Sequence, residues 1–253
     1  MISSPDLRML KAAPGRRLGL CLWFAGLLCM GGCPRIGDGE LGEQTRRISG
    51  PVRALEVLDD LQVVVTSDPN ASEGATLVLR TDSNLLDRVI TERHSDDVLG
   101  VGIEATSESK PTLGIDIDIS TPGLERIFAA DNSRLELRDH EGELLTVRAR
   151  DQATIRAVGK SDFLAIDGLQ DTSIELAGSA QEIDLKTVDA ATIDASALTV
   201  VDAEISHESS GEVRLCASGT IRGTMRGQGS LVLLCPPSSL EVEVLGEGSI
   251  LWP

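Results

Sequence analysis

Residues 131–137 read Asp131-Asn132-Ser133-Arg134-Leu135-Glu136-Leu137, and the phrase recurs along the rest of the chain. It is a small or turn-forming cluster, one polar residue, then alternating apolar residues. It returns at Asp151–Ala157, Asp171–Leu176, Asp189–Ala195, Ser209–Leu215, Gln228–Leu234 and Glu247–Leu251. The first inward apolar residue is read as Leu135, Ile155, Ile174, Ile193, Val213, Val232 and Leu251, in steps of 20, 19, 19, 20, 19 and 19. A second apolar pair follows about ten residues later, at Leu145/Val147, Leu164/Ile166, Ile183/Leu185, Ala203/Ile205 and Val242/Val244, with Ile221 in the remaining copy.

Alternation over four to six residues means a strand with one buried face. Each unit therefore holds two short strands joined by polar corners. It is too short for a strand–helix–strand crossover, and it lacks the leucine ladder of a leucine-rich repeat. One unit buries nothing alone. Stacking units about 4.8 Å apart joins the inward Leu, Ile and Val into one column. The expected fold is all-β, a right-handed parallel β-helix with about 19–20 residues per coil. Its open ends need covers, and Trp252 is read as a hydrophobic lid.

Upstream, 52–58, 61–66, 75–80, 98–103 and 113–120 read as strands with longer coils, continuous with the same β-helix. A folded part whose aromatics are only Phe128, Phe163 and Trp252 suits thin, regular layers.

The formal net charge is −17. Residues 1–32 carry a surplus of +3, so the remainder stands at −20. That excludes the basic footprint of a nucleic-acid binder and electrostatic docking on anionic lipid. The excess either keeps the protein soluble or offers an acidic surface to cations and basic partners.

Arg8, Lys11, Arg16 and Arg17 precede a 13-residue apolar run, Leu18 to Met30. The run is too short for a comfortable membrane-spanning helix and fits the core of a signal peptide, starting from Met1 or Met9. Met30-Gly31-Gly32-Cys33 then resembles a lipobox, which implies cleavage before Cys33 and its acylation. Residues 34–49 are Gly-rich and charged, and read as a flexible tether. The expected organisation is a lipoprotein signal peptide at 1–32, a tether at 33–49 and one β-helix domain at 50–253. Anchorage in the outer rather than the inner membrane is expected, with periplasmic or surface exposure left open.

The strand pair near 52–66, then Leu79–Leu86, the alternating strand Leu113–Ser120 and Thr121–Ile127 leading into small-residue repeats resemble the auto-transporter adhesin, head GIN domain family. The resemblance covers roughly 48–253. The family's Gly-Ser-Gly corners are eroded here and survive best at Gln228-Gly229-Ser230 and Gly246–Ser249. The resemblance implies a β-helix, often on an exported lipoprotein, with no established catalysis.

Once Cys21 and Cys29 leave with the signal peptide and Cys33 is acylated, Cys216 and Cys235 remain, one repeat apart. Stacked neighbours fall within reach of a disulfide, and export favours oxidation; a pair of free thiols is the alternative. Asp131, Asp151, Asp171 and Asp189 would form a corner ladder, suited either to Ca²⁺ or simply to turns. His94, His140 and His207 lack metal-ligand spacing and read as surface residues. No nucleophile elbow or phosphate loop is present, and no cofactor is expected. The leading function is a non-catalytic binding, adhesion-like or structural module of the cell envelope. It would hold to the membrane through its acyl chains and contact a protein or matrix partner. The alternative, a polysaccharide-acting β-helix enzyme, needs clustered carboxylates with arginine on one open face and usually an aromatic platform.

Overall fold

A computed structural model describes residues 36–252 except 70, 72, 73, 96 and 105–109. The expected signal peptide and Cys33 lie outside the described residues. Residues Cys33–Pro253 form one compact unit. Its body is a β-solenoid of about seven turns with about 19 residues per turn.

The first strands are β1 (Leu41–Ser49), β2 (Ala54–Val57), β3 (Gln62–Ser67) and β4 (Gly74–Asp82). A 3₁₀ turn (Ser83–Arg88) leads to β5 (Val89–Arg93), β6 (Val98–Ile103), β7 (Asp116–Thr121) and β8 (Arg126–Ala129). The long strands β9 (Arg134–Ala149), β10 (Thr154–Gly168), β11 (Ser173–Asp189) and β12 (Thr192–Ser209) each cross two faces. Later coils divide into β13 (Glu212–Ala217) and β14 (Thr220–Met225), β15 (Ser230–Leu233) and β16 (Ser239–Val244), then β17 (Ser249–Leu251).

From β9 onward every pairing is parallel and each coil lies on the one before it. The first inward column runs Leu135, Ile155, Ile174, Ile193, Val213, Leu231 and Ile250. The last two differ by one residue from Val232 and Leu251. A one-residue shift turns every side chain to the opposite face. Val232 accordingly pairs with Arg214 and Leu251 instead of joining the inward column, and at 9% exposure it is nonetheless covered. The corner fixes that parity. Two residues before each inward position sits a small one: Ser133, Ala153, Thr172, Ala191, Gly211, Gly229 and Gly248. At Gly229 a Cβ would lie 2.0 Å from the Gly211 carbonyl oxygen, so the coils touch backbone to backbone there.

The N-terminal strands join the same sheet but out of chain order. β3 lies between β7 and β9, and β2 between β6 and β8. The chain winds back toward the start of the stack before crossing over to β8. Three antiparallel pairings close that end: β1 with β4, β4 with β7, and β5 with β6. Residues 41–49, expected within a flexible tether, are thus an ordered capping strand, and Ile36 already bridges to Lys110. Their sequence, Leu41-Gly42-Glu43-Gln44-Thr45-Arg46-Arg47-Ile48-Ser49, shows little apolar alternation because polar contacts hold it. The Arg46 guanidinium donates to the carbonyls of Leu86 and Val89 and to the Thr91 hydroxyl.

At the opposite end Trp252 is 54% exposed and does not act as a lid. β17 ends at Leu251, so no backbone pairing holds the ring over the core, and Leu240, Val244 and Leu245 of the last coil also stay exposed.

Candidate functional site

The solenoid turns strand faces outward, and its charges form cross-coil pairs. Arg156 lies 3.6 Å from Glu136 and 3.3 Å from Glu175, Arg126 is 2.8 Å from Asp97 and Arg226 is 3.2 Å from Glu208. Such exposed pairs contribute little stability each, but they disperse charge evenly.

One face departs from this. The parallel register runs Asp184, Glu204, Arg222 and Glu241 in one row across successive coils, with Glu182 beside Asp202. Glu182, Asp202, Ala203, Thr220, Arg222 and Glu241 line an open groove of about 810 Å³ on this face. Arg222 is its central cation, 2.8 Å from Glu204 and 3.9 Å from Glu182. Its guanidinium is held more firmly protonated, chiefly by the hydrogen bond to Glu204. Asp202 accepts the Thr220 backbone N–H at 2.7 Å. The Asp184 carboxyl is pushed above the usual carboxylate range, first by desolvation among its neighbours and then by Glu204, Asp167 and Glu182, with Lys186 opposing. The face is therefore crowded with negative charge that one arginine does not neutralise. No aromatic side chain lines the groove.

Cys216 and Cys235 come together, with Cα atoms 5.1 Å apart and the sulfurs bonded. They are not directly stacked. The register sets Leu215 opposite Leu233, so the pair crosses the ladder on a diagonal offset by one residue. That diagonal appears because the coil from Val213 to Leu231 is 18 residues long rather than 19.

The ladder Asp131, Asp151, Asp171, Asp189 does not form one column. The column in left-handed conformation is Asp59, Asp131, Asp151, Gln170 and Asp189, each with φ between 59° and 65°. Asp171 follows the corner and is exposed. Asp tolerates this conformation better than most residues because its short polar side chain can bond locally. Here the corner side chains also reach the neighbouring coil. Asp131 accepts the Asp59 N–H at 3.2 Å, and Gln170 accepts the Asp151 N–H at 3.0 Å. Among the described residues no three His, Cys, Asp or Glu side chains gather where they could hold a metal ion.

Of the histidines only His94 is on the surface, its Nδ1 3.2 Å from Glu56. His140 and His207 are buried, against expectation. His207 continues the inward parity of Ala203 and Ile205, and its Nδ1 shares a 2.6 Å hydrogen bond with the Thr187 hydroxyl. That parity was readable in Ala203-Glu204-Ile205-Ser206-His207. His140 follows Asp139, whose φ of 56° reverses the alternation, so no pattern announced it. Neither His140 ring nitrogen has a hydrogen-bond partner among the described residues. Burial lowers the pKa of both imidazoles.

With the solenoid and its faces in view, residues 53–237 match the family described as putative auto-transporter adhesin, head GIN domain. The chain belongs to this family. Solved structures share the GIN-domain fold. A protein from Bacteroides fragilis named as a putative adhesin is 16% identical with a TM-score of 0.77, covering 87% of this chain and all of that one. Another so named, from Parabacteroides merdae, is 19% identical with a TM-score of 0.67, over 87% and 99% of the two chains. A protein from Parabacteroides distasonis named as lipid-binding is 15% identical with a TM-score of 0.66, over 87% and 99%. No curated protein matches the chain. At these identities the likeness is one of fold.

Proposed function

We propose that this GIN-domain chain is an exported, lipid-anchored, non-catalytic binding module of the cell envelope that takes a basic protein or matrix partner on its acidic face. Family membership supports an adhesion-like role in general terms. The observation that carries the finer reading is the face around Arg222, where a groove lined by Glu182, Asp202 and Glu241 adjoins Glu204 and Asp184, and these acids outnumber Arg222 and Lys186. A broad, open acidic surface favours contact with a cationic surface. It offers neither the enclosure nor the aromatic platform that would hold a sugar chain for cleavage. Export and anchorage rest on the apolar run 18–30 and on Met30-Gly31-Gly32-Cys33. The Cys216–Cys235 bridge suits the oxidising compartment that export implies.

The test places a photo-cross-linking residue at Thr220, in the groove, or at Glu175, on another face, in cells carrying the anchored protein. Adducts to a Lys- and Arg-rich partner from position 220, weakened by salt and absent from 175, are expected. Equal adducts from both positions refute the acidic-face reading. Mass analysis of the mature N-terminal peptide reads the anchor directly, and an unmodified Cys33 refutes it.

A further inference from the structure

Ile36, Leu41 and Leu113 are large apolar residues left 66%, 69% and 44% exposed at one rim of the solenoid. A single buried carboxylate gathers them. Asp82 accepts the backbone N–H groups of Gly39 at 2.7 Å, Thr112 at 2.8 Å and Leu113 at 3.2 Å. Leu41 lies directly across from Asp82 in the β1–β4 register. The Asn84 amide donates to the Ile36 carbonyl at 3.0 Å, the Thr112 hydroxyl to the Gly37 carbonyl at 3.1 Å, and the Gly37 N–H to the Lys110 carbonyl at 3.0 Å. The rim is therefore fixed from Ile36 onward, three residues after Cys33.

Three Cα steps span at most about 11 Å. A body that holds Ile36 in place this close to an acylated Cys33 cannot stand off on a long tether. β1 is also the outermost rung of its end, in the order β1-β4-β7-β3-β9-β10-β11-β12-β13-β15-β17. Ten steps separate β1 from β17, roughly 48 Å at the usual strand spacing.

We propose that this rim is a membrane-docking surface, with Ile36, Leu41 and Leu113 resting at the headgroup–acyl boundary of a lipid bilayer and the C-terminal end of the stack pointing away. The proposal rests on the reading of Cys33 as the lipid-bearing residue. Among the described residues the exposed charge at the rim is mixed, Lys110 against Asp38 and Glu40, and favours a neutral bilayer over an anionic one. The rim alone need bind only weakly. An anchor about 11 Å away supplies a high effective concentration, and the apolar residues then decide orientation.

The experiment uses the built-in far-end reporter, Trp252. Leu41→Trp and Leu113→Trp are made separately in a Trp252→Phe background, beside the unchanged chain with its native Trp252. Each chain from Cys33 onward, the compact unit of the structure, is coupled through Cys33 to a maleimide lipid in phosphatidylcholine vesicles containing brominated acyl chains. Natively acylated protein in the same vesicles forms the parallel arm. Quenching of about twofold or more at positions 41 and 113, as for side chains sunk into the boundary region, with none at Trp252, is the expected result. No quenching at 41 or 113 in the coupled chain overturns the docking. Quenching of Trp252 overturns the end-on orientation. Blue-shifted but unquenched emission from the Leu41→Trp chain gives the rim to a second copy or another protein and overturns the proposal equally. Quenching in the coupled arm together with an unmodified native Cys33 upholds the surface and removes only the anchor reading.

Discussion

Between residues 134 and 251 each strand pairs with the coil that follows it, whereas between 41 and 129 chain order and spatial order part company. The later half is built by translation: the same inward column and a small corner residue recur from coil to coil, with a left-handed Asp or Gln at 131, 151, 170 and 189. The earlier half is built by individual polar contacts. Asp82 ties together residues 39 and 112–113, the Asp59 carboxylate accepts the Ile103 N–H at 2.7 Å, and Arg46 ties β1 to the 3₁₀ turn and β5. The two halves should therefore fail differently. A translated stack is vulnerable wherever one residue breaks the repeat. A keyed cap is vulnerable at its keys and tolerant elsewhere.

The largest effect is expected from a side chain forced between coils. A Cβ at Gly178 would lie 1.8 Å from the Gly159 carbonyl oxygen, and Gly178 itself has φ of 118°. Gly178→Val combines backbone strain with overpacking that no rotamer relieves, and should cost more than about 4 kcal/mol. The earlier half has one equally crowded glycine, Gly74, whose Cβ would lie 2.1 Å from the Ile48 carbonyl oxygen, and an open one, Gly114, with φ of 78° and nothing within 4 Å of its Cβ. Gly114→Val should cost only the strain of a left-handed residue, about 1–2 kcal/mol. Urea denaturation of both variants decides the matter; equal losses would erase the distinction between stack and cap.

Next come the inward columns. Ile193 is 1% exposed and Leu79 is 0% exposed, so truncation of either should cost about 2–5 kcal/mol. The contrast lies in where the structure opens. Ile193→Ala should release amide exchange along β11, β12 and β13, which it joins, while Leu79→Ala should release β1, β4 and β7 first. Hydrogen exchange by mass spectrometry that showed both variants opening the same segments would argue for one indivisible cooperative unit.

The third effect is smaller and separates the halves by pH. His140 and His207 lie in the repeat half, with pKa values lowered by burial. The unfolded chain takes up protons near the ordinary histidine value of about 6.5, before the folded chain does. Stability should therefore be full above that pH and fall as pH drops below it, until each folded pKa is reached. The slope is at most about 1.4 kcal/mol per pH unit for each imidazole. His207→Leu should flatten this limb in thermal melts between pH 7 and 5. An unchanged pH profile would mean that His207 is hydrated in solution.

Much of this contrast follows from what a sequence can carry. The corner phrase from Asp131 onward was legible because translation repeats the same physical demand every coil: a small inward residue, then alternation. β3, β4, β6 and β7 were visible from their own alternation, although their spatial order was not, since nothing in Val63 or Ile117 says which strand it will adjoin. β1 was invisible because its partners are distant polar groups, and a stretch with two adjacent arginines and a glutamate reads as solvated. The register slip at Val213–Leu231 escaped because Leu231-Val232-Leu233-Leu234 is apolar throughout and leaves parity undetermined. The acidic face was present in the composition, but only the register that runs Asp184, Glu204, Arg222 and Glu241 across successive coils places those charges on one face. His207 was within reach of a strict parity argument, while His140 required knowing that Asp139 turns left-handed.

The smallest global effect, and the most local, should come from Asp82. Burial alone would raise its pKa, but the N–H groups of Gly39, Leu113 and Thr112 outweigh that and hold it below the ordinary carboxylate range. The sign is therefore the same as for the histidines, and only the window lies lower on the pH scale. Its contribution is complete above the unfolded value of about 3.9 and is lost as pH falls below that toward the folded value. The cap should thus remain keyed through the range in which the repeat half is already weakening. Asp82→Asn keeps the shape but replaces one charged acceptor oxygen with an amide that has protons of its own to place. Amide exchange at Gly39, Thr112 and Leu113 should accelerate sharply at neutral pH, while exchange in β10, β11 and β12 stays as in the unchanged chain. The unchanged chain should show the same local acceleration only below about pH 4, beyond what the intrinsic pH dependence of exchange accounts for. If Asp82→Asn instead loosened β10–β12 as well, the cap would be the nucleus on which the stack depends rather than a key fitted to its end.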